Sequence, residues 1–307
     1  MNNYKGIFYA ILSSTAFGIM PLFAKISYKN GSNSTSALLF RFLIAGLILL
    51  LYLYANKVSI KVSKKQLLLL LIIGMFGYTL TTTTLFVSYN YLDSGLATSL
   101  HYIYPALVCV LSFILYKENI TKRKMISLIF SIAGVYSLIA FENKTLNGLG
   151  IFLALLSGLG YATNIISLSL KSIKFLDNRV VTMYICFGAS FGMLIYGLFT
   201  NSIILKINKE IAVSYLGLSI ISTITSMLLL LKAIKIIGST SASILGTFEA
   251  ILSIIFGIIF LNEQITISLI LGTSLIIAST IILAKEKTSN SYKESNSKFH
   301  NFLNFNN

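Results

Sequence analysis

The strongest constraint in this sequence is an internal duplication whose two copies each contain an odd number of membrane-length apolar segments. Residues 6–13 (GIFYAILS) match residues 150–157 (GIFLALLS), and residues 94–121 align without gaps to residues 239–266 at an offset of 145. Each copy holds five apolar segments, so the chain enters its second copy from the opposite side of the bilayer. The two copies are therefore predicted to have inverted orientations.

The composition places the chain in a membrane. Hydrophobic residues make up 56% of it and charged residues 11%, whereas soluble domains have roughly 25% charged residues. A helix needs about 20 apolar residues to cross a bilayer, and the long Leu/Ile runs lack the alternation of barrel strands. We predict an all-α integral membrane protein whose ten transmembrane helices form two inverted five-helix repeats. The predicted spans are residues 6–28, 34–54, 66–90, 94–116, 122–141, 147–170, 180–200, 211–232, 238–261 and 265–284.

The same pattern predicts the domain organisation. Residues 1–144 form the first repeat and residues 145–285 the second. Residues 286–307 are polar, rich in Asn, Ser and Lys, and lack an apolar stripe, which indicates a disordered tail.

The basic residues predict the orientation. The formal charge is +15, but Lys and Arg occur in short runs between apolar segments, which argues against a nucleic-acid-binding face. Eighteen of the 24 basic residues fall on one side of the predicted topology, the side that also holds both termini. The positive-inside rule then places both termini in the cytoplasm of a multi-pass cell-membrane protein.

Several motifs resemble one transporter family. They are AFGIMPLFAK (16–25), LLFRFLIAGLILL (38–50), the segment from Ser88 to Glu118, and KAIKIIGSTSASILGTFEAILSIIFGIIFLNEQIT (232–266). Over residues 5–285 the chain resembles the EamA-type members of the drug/metabolite transporter superfamily. The resemblance implies ten helices in two repeats and transport of a small molecule, more often export.

Two positions depart from the pattern of that family. An aromatic residue, often Trp, precedes the first-span glycine in similar proteins, and this chain has Phe17-Gly18. Similar proteins often carry Pro in the ninth span where this chain reads Glu249-Ala250. Unusual chemistry is therefore expected in the ninth span.

Glu249 is the first candidate for a site residue. It lies near the middle of the ninth predicted span, where a carboxylate needs a cavity, a partner or a function. Helical spacing places it on a stripe with Gly246, Ser253 and Phe256. We predict that Glu249 binds a cation or exchanges a proton; the alternative is a structural partner for Arg41, Lys25 or the backbone.

His101 and Tyr104 are candidates in the fourth span, where the duplication aligns Tyr104 with Glu249. Pro105 cannot donate to the His101 carbonyl, which predicts a kink and leaves that carbonyl free for a ligand, a water molecule or another helix. His101 is predicted to bind substrate or protons; alternatively, it is a buried side chain satisfied by a neighbouring hydroxyl.

Polar faces of the third and sixth spans complete the predicted substrate site. Tyr78 and Thr82 share one face, and Tyr161 and Asn164 share the other. Tyrosine rings enclose an organic ligand and hydrogen-bond it, whereas threonine hydroxyls more often join helices.

Other residues are assigned structural roles. Arg41 corresponds to an arginine often present in the second helix of similar proteins and is expected to anchor a loop or a carboxylate, with substrate binding as the alternative. Pro21 and Pro105 are expected to shape their helices. Both cysteines lie within predicted helices and are interpreted as buried apolar residues, and no metal-ligand spacing or cofactor motif is present.

The sequence favours a secondary carrier over other classes of membrane protein. It has no nucleotide-binding loop and no segment long enough for an ATPase domain. Transport is therefore expected to be passive or driven by an ion gradient, with protons as the candidate coupling ion. The leading substrate class is an amino acid or related metabolite, handled by a monomer. The alternatives are a carrier of organic cations or drugs that uses Glu249, and a scaffold or sensor; an enzyme is disfavoured because no catalytic cluster is evident.

Overall fold

The computed structural model describes residues 2–116, 121–140, 147–168, 170–246, 248–261 and 264–284. Within these ranges every regular element is a helix, which confirms the all-α prediction. The predicted repeat boundary at residue 144 and the predicted tail from residue 286 lie outside the described residues.

The first half of the chain contains nine described helical segments. They are α1 (Asn2–Gly18), α2 (Met20–Lys29), α3 (Ser34–Ala55), α4 (Lys64–Ile72), the π-helix π1 (Ile73–Tyr78), α5 (Thr79–Ser88), α6 (Ser94–His101), α7 (Tyr104–Tyr116) and α8 (Lys122–Ala140).

The second half repeats this order. It contains α9 (Gly148–Leu168), the short α10 (Lys171–Lys174), α11 (Asn178–Phe199), α12 (Lys209–Ser219), the π-helix π2 (Ile220–Thr225), α13 (Ser226–Gly246), α14 (Phe248–Leu261) and α15 (Ile267–Ala284). Helix α13 bends at Gly238, whose φ of 83° is accessible to glycine.

The helices fit the ten predicted spans. Seven described segments are long and apolar enough to cross a bilayer, and three shorter apolar helices correspond to the fifth, ninth and tenth predicted spans. Large apolar side chains such as Phe152, Phe199 and Leu51 are exposed, as expected for surfaces that face lipid. Cys109 and Cys186 are buried, as predicted.

The two repeats interlock. Helix α1 packs on α13, and the corresponding helices of the other repeat, α9 and α5, pack on each other. Helix α3 packs on its own counterpart α11, and α8 packs on its counterpart α15. Each repeat thus buries its polar and small-residue faces mainly against the other repeat.

Helix interruptions recur in both repeats. The first predicted span breaks between α1 and α2 beside Pro21, and the fourth breaks at residues 102–103 beside Pro105. The predicted kink at Pro105 is therefore confirmed. The two π-helices each contain six residues and occupy comparable places in the third and eighth spans. Such π segments often occur at functional sites.

The crossing of π1 with α11 depends on two glycines. A methyl group added at Gly74 would collide with the carbonyl oxygen of Ile185, and one added at Gly188 would lie 2.6 Å from the carbonyl oxygen of Leu71. The two backbones therefore approach closely, as small residues allow in membrane helices.

Buried serines join α8 to α15. The Ser279 hydroxyl lies 2.9 Å from the Ser127 hydroxyl and 2.7 Å from the Ser131 hydroxyl, and it also lies 2.7 Å from the Ser127 carbonyl oxygen. The three side chains are almost fully buried. Hydrogen bonds between membrane helices stabilise by about 1 kcal/mol or less on average, so this network fixes the helix pair by a modest amount.

We expect Ser279→Ala to lower the free energy of unfolding by about 1 kcal/mol, because two buried hydroxyls lose their shared partner. Unfolding of the purified protein in mixed micelles measures the change. Ser274→Ala is the matched control, since Ser274 lies on the same helix with its side chain exposed. Equal stability of the two variants would contradict the assigned role of the network.

Candidate substrate site

An aromatic cluster formed by His101, Tyr102, Tyr104 and Tyr161 lies where the two repeats meet. The Tyr104 and Tyr161 rings pack edge to face with centroids 4.7 Å apart, and the His101 ring lies 5.3 Å from the Tyr161 ring. Phe17 of α1 also contacts Tyr161 edge to face, at 6.5 Å. The predicted residues His101, Tyr104 and Tyr161 are thus brought together by α6, α7 and α9.

Glu249 lies next to this cluster. Its side chain is 6% exposed, and the nearby Tyr102 hydroxyl donates to the Gly246 carbonyl oxygen at 2.9 Å. Tyr104 and Tyr161 are close enough to Glu249 for electrostatic interaction. Tyr104 and Glu249, which the duplication aligns with each other, are therefore neighbours in the structure.

Glu249 belongs to helix α14. Ser253, one turn further along the same helix, donates to Thr98 of α6 at 3.2 Å. Residue 247 lies outside the described residues, so the predicted stripe that joins Gly246 to Glu249, Ser253 and Phe256 stays a prediction.

His101 has a defined hydrogen bond. Its Nδ1 atom lies 2.7 Å from the Ser157 hydroxyl, which also lies 2.6 Å from the carbonyl oxygen of Ala154. The hydroxyl has one hydrogen for these two acceptors. When Ala154 takes it, Nδ1 carries the ring proton and the lone pair lies on Nε2. This contact matches the alternative of a histidine satisfied by a neighbouring hydroxyl, and it leaves Nε2 free of that bond.

The breaks in the helices allow close packing at the centre. A methyl group at Gly158 of α9 would lie 2.7 Å from the His101 carbonyl oxygen, the oxygen that Pro105 leaves without a donor. That carbonyl therefore lies against another helix, one of the three predicted outcomes. Similarly, a methyl group at Gly18 would lie 2.8 Å from Leu252 Cβ and 3.3 Å from the Glu249 carbonyl oxygen.

Arg41 joins the first repeat to π2 of the second. Its Nε donates to Thr223 Oγ1 at 2.6 Å, and its Nη2 donates to the carbonyl oxygen of Ser222 at 2.9 Å. The guanidinium also lies 5.0 Å from the Phe42 ring centroid. Arg41 is 2% exposed and lies within electrostatic range of Glu249, but the two do not form a direct ion pair.

Tyr78 provides an unsatisfied hydroxyl near Arg41. The side chain is 3% exposed, none of the described residues forms a hydrogen bond with its hydroxyl, and it lies within electrostatic range of Arg41 and Tyr161. A buried hydroxyl without a partner costs free energy, so a group that supplies this partner has an energetic advantage.

Thr82 and Asn164 make contacts within the helix bundle. The Thr82 hydroxyl donates to the Tyr78 carbonyl oxygen at 2.7 Å, within one helix. The Asn164 amide donates to the Thr81 hydroxyl at 3.1 Å and so joins α9 to α5. Their predicted role in substrate binding stays a prediction.

Comparison with known proteins identifies the family. The family model of the EamA-like transporter family matches residues 4–140 and again residues 148–285, once in each repeat. The chain belongs to the EamA-like transporter family. The resemblance found in the sequence motifs is thereby confirmed, and the protein is a multi-pass membrane transporter.

Curated relatives of this transporter are also named as transporters. An uncharacterized transporter of Archaeoglobus fulgidus is 25% identical over 270 residues, which cover 87% of this chain and 95% of the relative. The uncharacterized transporter YvbV of Bacillus subtilis is 27% identical over 241 residues, covering 77% and 78% of the two chains.

A solved crystal structure shares the fold of this transporter. The TM-score is 0.66 at 14% identity, and the match covers 92% of this chain and 97% of the other. At that identity the similarity concerns the fold alone.

Sequence reasoning missed one member of the site, Tyr102. In a continuous helix Tyr102 and Tyr104 would point in nearly opposite directions, whereas the break at residues 102–103 brings their rings to 5.2 Å. The sequence did contain a signal, because Pro105 predicts the helix break. The direction of the Tyr102 side chain, however, depends on the backbone path through that break. Within the described residues, no group of three His, Cys, Asp or Glu side chains suitable for a metal ion occurs.

Proposed function

We propose that this transporter is a secondary carrier, independent of ATP, that exports an amino acid or a related small metabolite. The observation that carries the proposal is the position of one buried acidic and one buried basic side chain, Glu249 and Arg41, near the aromatic cluster without a direct ion pair between them. A zwitterion complements such a centre, because its ammonium group suits Glu249 and its carboxylate suits the Arg41 side.

The remaining predicted site residues have roles in the proposal. Tyr78 supplies the hydroxyl that donates to the carboxylate, since that hydroxyl otherwise lacks a partner. Tyr104 and Tyr161 enclose the apolar part of the substrate. Thr82 and Asn164 hold the walls of the site. His101 accepts a hydrogen bond at Nε2, or a proton, since its Nδ1 is directed at Ser157.

Broken helices support alternating access as the mechanism. In inverted-repeat carriers, the substrate site is formed by interrupted helices at the interface between the repeats. Here interruptions lie between α1 and α2, between α6 and α7, and at Gly238 within α13. We infer that the two repeats rock about the aromatic cluster, with proton exchange at Glu249 or His101 as the coupling step. This mechanism requires only one copy of the chain, and we propose a monomer in the cell membrane with both termini in the cytoplasm.

A carrier of organic cations is the second candidate function. The observation that favours it is the position of the Glu249 carboxylate beside three tyrosine rings, Tyr102, Tyr104 and Tyr161. Tyrosine faces and a carboxylate together attract quaternary ammonium groups. The positive charge of Arg41 lies close enough to repel a cationic ligand, so we rank this function second.

Ligand-induced thermal stabilisation separates the candidates. Purified full-length protein in detergent is heated with amino acids, choline-like cations, nucleosides or carboxylates. We expect stabilisation by a zwitterionic amino acid, because a ligand at 100 times its Kd adds about 2.7 kcal/mol to the folded state. Stabilisation by cations alone would favour the second candidate. No stabilisation by any compound in the panel would favour a scaffold or sensor.

A further inference from the structure

A cavity of about 630 Å³ lies away from the aromatic cluster, between α3, α11 and the eighth span. Among the described residues that line it, none belongs to the candidate substrate site. It opens where α3 approaches its C-terminal end, α11 begins and the eighth span ends. Those helix ends mark the boundary between hydrocarbon and water, where lipid headgroups lie.

The floor of this cavity is apolar. Ile48 and Leu49 of α3 face Ile224 of π2 and Leu228 of α13 across it. Leu49 belongs to a small hydrophobic cluster, separate from the main core, against which Ile224 and Leu228 also pack. On the same helix, Leu51 is 67% exposed, so this side of the bundle faces lipid. An apolar slot open to lipid suits an acyl chain.

The rim of the cavity is cationic. Arg179, Lys232 and Lys235 line it together with a single carboxylate, Asp177. Arg179 forms an ion pair with Asp177 at 2.6 Å, and this pairing holds the pKa of that carboxyl below its usual range. Asp177 is thus charged and already paired, so two positive charges remain. Lys235 donates to the Leu176 carbonyl oxygen at 2.6 Å, while Lys232 is exposed at the rim.

The rim also contains an unsatisfied acceptor. The side-chain oxygen of Asn178 is buried and receives no hydrogen bond from the part of the chain that the structure describes. A phosphate oxygen is an acceptor and does not satisfy it, whereas a hydroxyl on the headgroup does. Tyr52 lines the same rim, and its ring lies 5.8 Å from the Arg179 guanidinium. Tyrosine is common at the level of lipid headgroups.

We propose that this cavity binds an anionic phospholipid with a hydroxyl-bearing headgroup, of the phosphatidylglycerol class. The phosphate pairs with Lys232 and Lys235, the headgroup hydroxyl donates to the Asn178 side-chain oxygen, and one acyl chain lies on the apolar floor. Because Ile224 of π2 forms part of that floor and Arg41 binds the adjacent Ser222 and Thr223, the lipid contacts the segment that supports the substrate site.

Native mass spectrometry of the delipidated full-length protein tests this proposal. The protein is titrated with phosphatidylglycerol, phosphatidic acid or phosphatidylcholine of identical acyl chains. We expect tighter binding of phosphatidylglycerol than of phosphatidylcholine, and about tenfold weaker phosphatidylglycerol binding in Lys232→Gln, the loss of one charge-assisted contact. Lys61→Gln is the matched control, because Lys61 is exposed and does not line the cavity. Asn178→Ala should remove the preference for phosphatidylglycerol over phosphatidic acid.

Three results would overturn the proposal. Equal binding of phosphatidylglycerol and phosphatidylcholine would show that the cationic rim does not select the headgroup. Equal losses of phosphatidylglycerol affinity in Lys232→Gln and Lys61→Gln would show that general surface charge, and not the cavity, explains the preference for phosphatidylglycerol. Displacement of phosphatidylglycerol by free glycerol 3-phosphate would assign the cavity to a soluble anion.

Discussion

Replacing Glu249 by Gln is expected to reduce substrate transport about 10- to 100-fold, the effect of losing one hydrogen-bonded charge from the centre of the site. Gln keeps the size of Glu249, and the Tyr102 hydroxyl keeps its bond to the Gly246 carbonyl oxygen, so we expect the fold to be preserved. What is lost is the negative charge that balances Arg41 and attracts an ammonium group or a proton. Uptake of labelled substrate into proteoliposomes measures the effect.

Glu210→Gln is the matched control for this substitution. Glu210 lies in the first turn of α12 with its side chain exposed, so the same chemical change there removes a charge outside the site. We expect the transport rate of Glu210→Gln to equal that of the natural sequence. Full transport by folded Glu249→Gln would remove Glu249 from the mechanism and leave His101 as the candidate for proton exchange.

Adding one methyl group at Gly74 is expected to destabilise the protein. At a helix position with room for a methyl group, Gly→Ala stabilises the protein by about 1 kcal/mol, because alanine loses less backbone entropy on folding. At Gly74 the methyl group would collide with the Ile185 carbonyl oxygen and lie 3.0 Å from Gly188 Cα, and neither backbone atom moves without shifting α11. Overpacking of this kind costs about 1–3 kcal/mol. We therefore expect Gly74→Ala to lower the stability of the protein, the opposite of the usual effect of Gly→Ala in a helix.

The melting temperatures of Gly74→Ala and Gly148→Ala in detergent test this reversal. Gly148 also lies on a helix, but a methyl group there has nothing within 4 Å. We expect Gly148→Ala to melt at or slightly above the temperature of the natural sequence and Gly74→Ala several degrees below it. A Gly74→Ala variant as stable as Gly148→Ala would mean that π1 and α11 do not approach as closely as described.

The sequence was informative about the transmembrane architecture because bilayer thickness limits helix length. Ten apolar stretches were visible, and the duplication required inverted copies. The proline rule located the break beside Pro105 correctly. The π-helices were not visible, since no residue type marks them; Ile220–Thr225 is an ordinary apolar and hydroxyl-rich run.

The site was only partly accessible from the sequence. His101, Tyr104, Tyr161 and Glu249 were selected because polar residues in membrane spans are costly, and they do lie near one another. The faces assigned to them assumed continuous helices, which is why Tyr102, beside the break at residues 102–103, was missed. The partner of Arg41 was inaccessible because it lies 182 residues away in the other repeat.

Counterflow in sealed proteoliposomes tests the central claim most directly. Vesicles are loaded with an unlabelled amino acid that stabilises the protein and are diluted into a trace of the labelled compound, with no ion gradient and no ATP. A carrier that alternates between two faces exchanges inside for outside substrate, so we predict transient accumulation of label above the external concentration. Equilibration without that overshoot would indicate a channel, and uptake no greater than in protein-free vesicles would contradict the account.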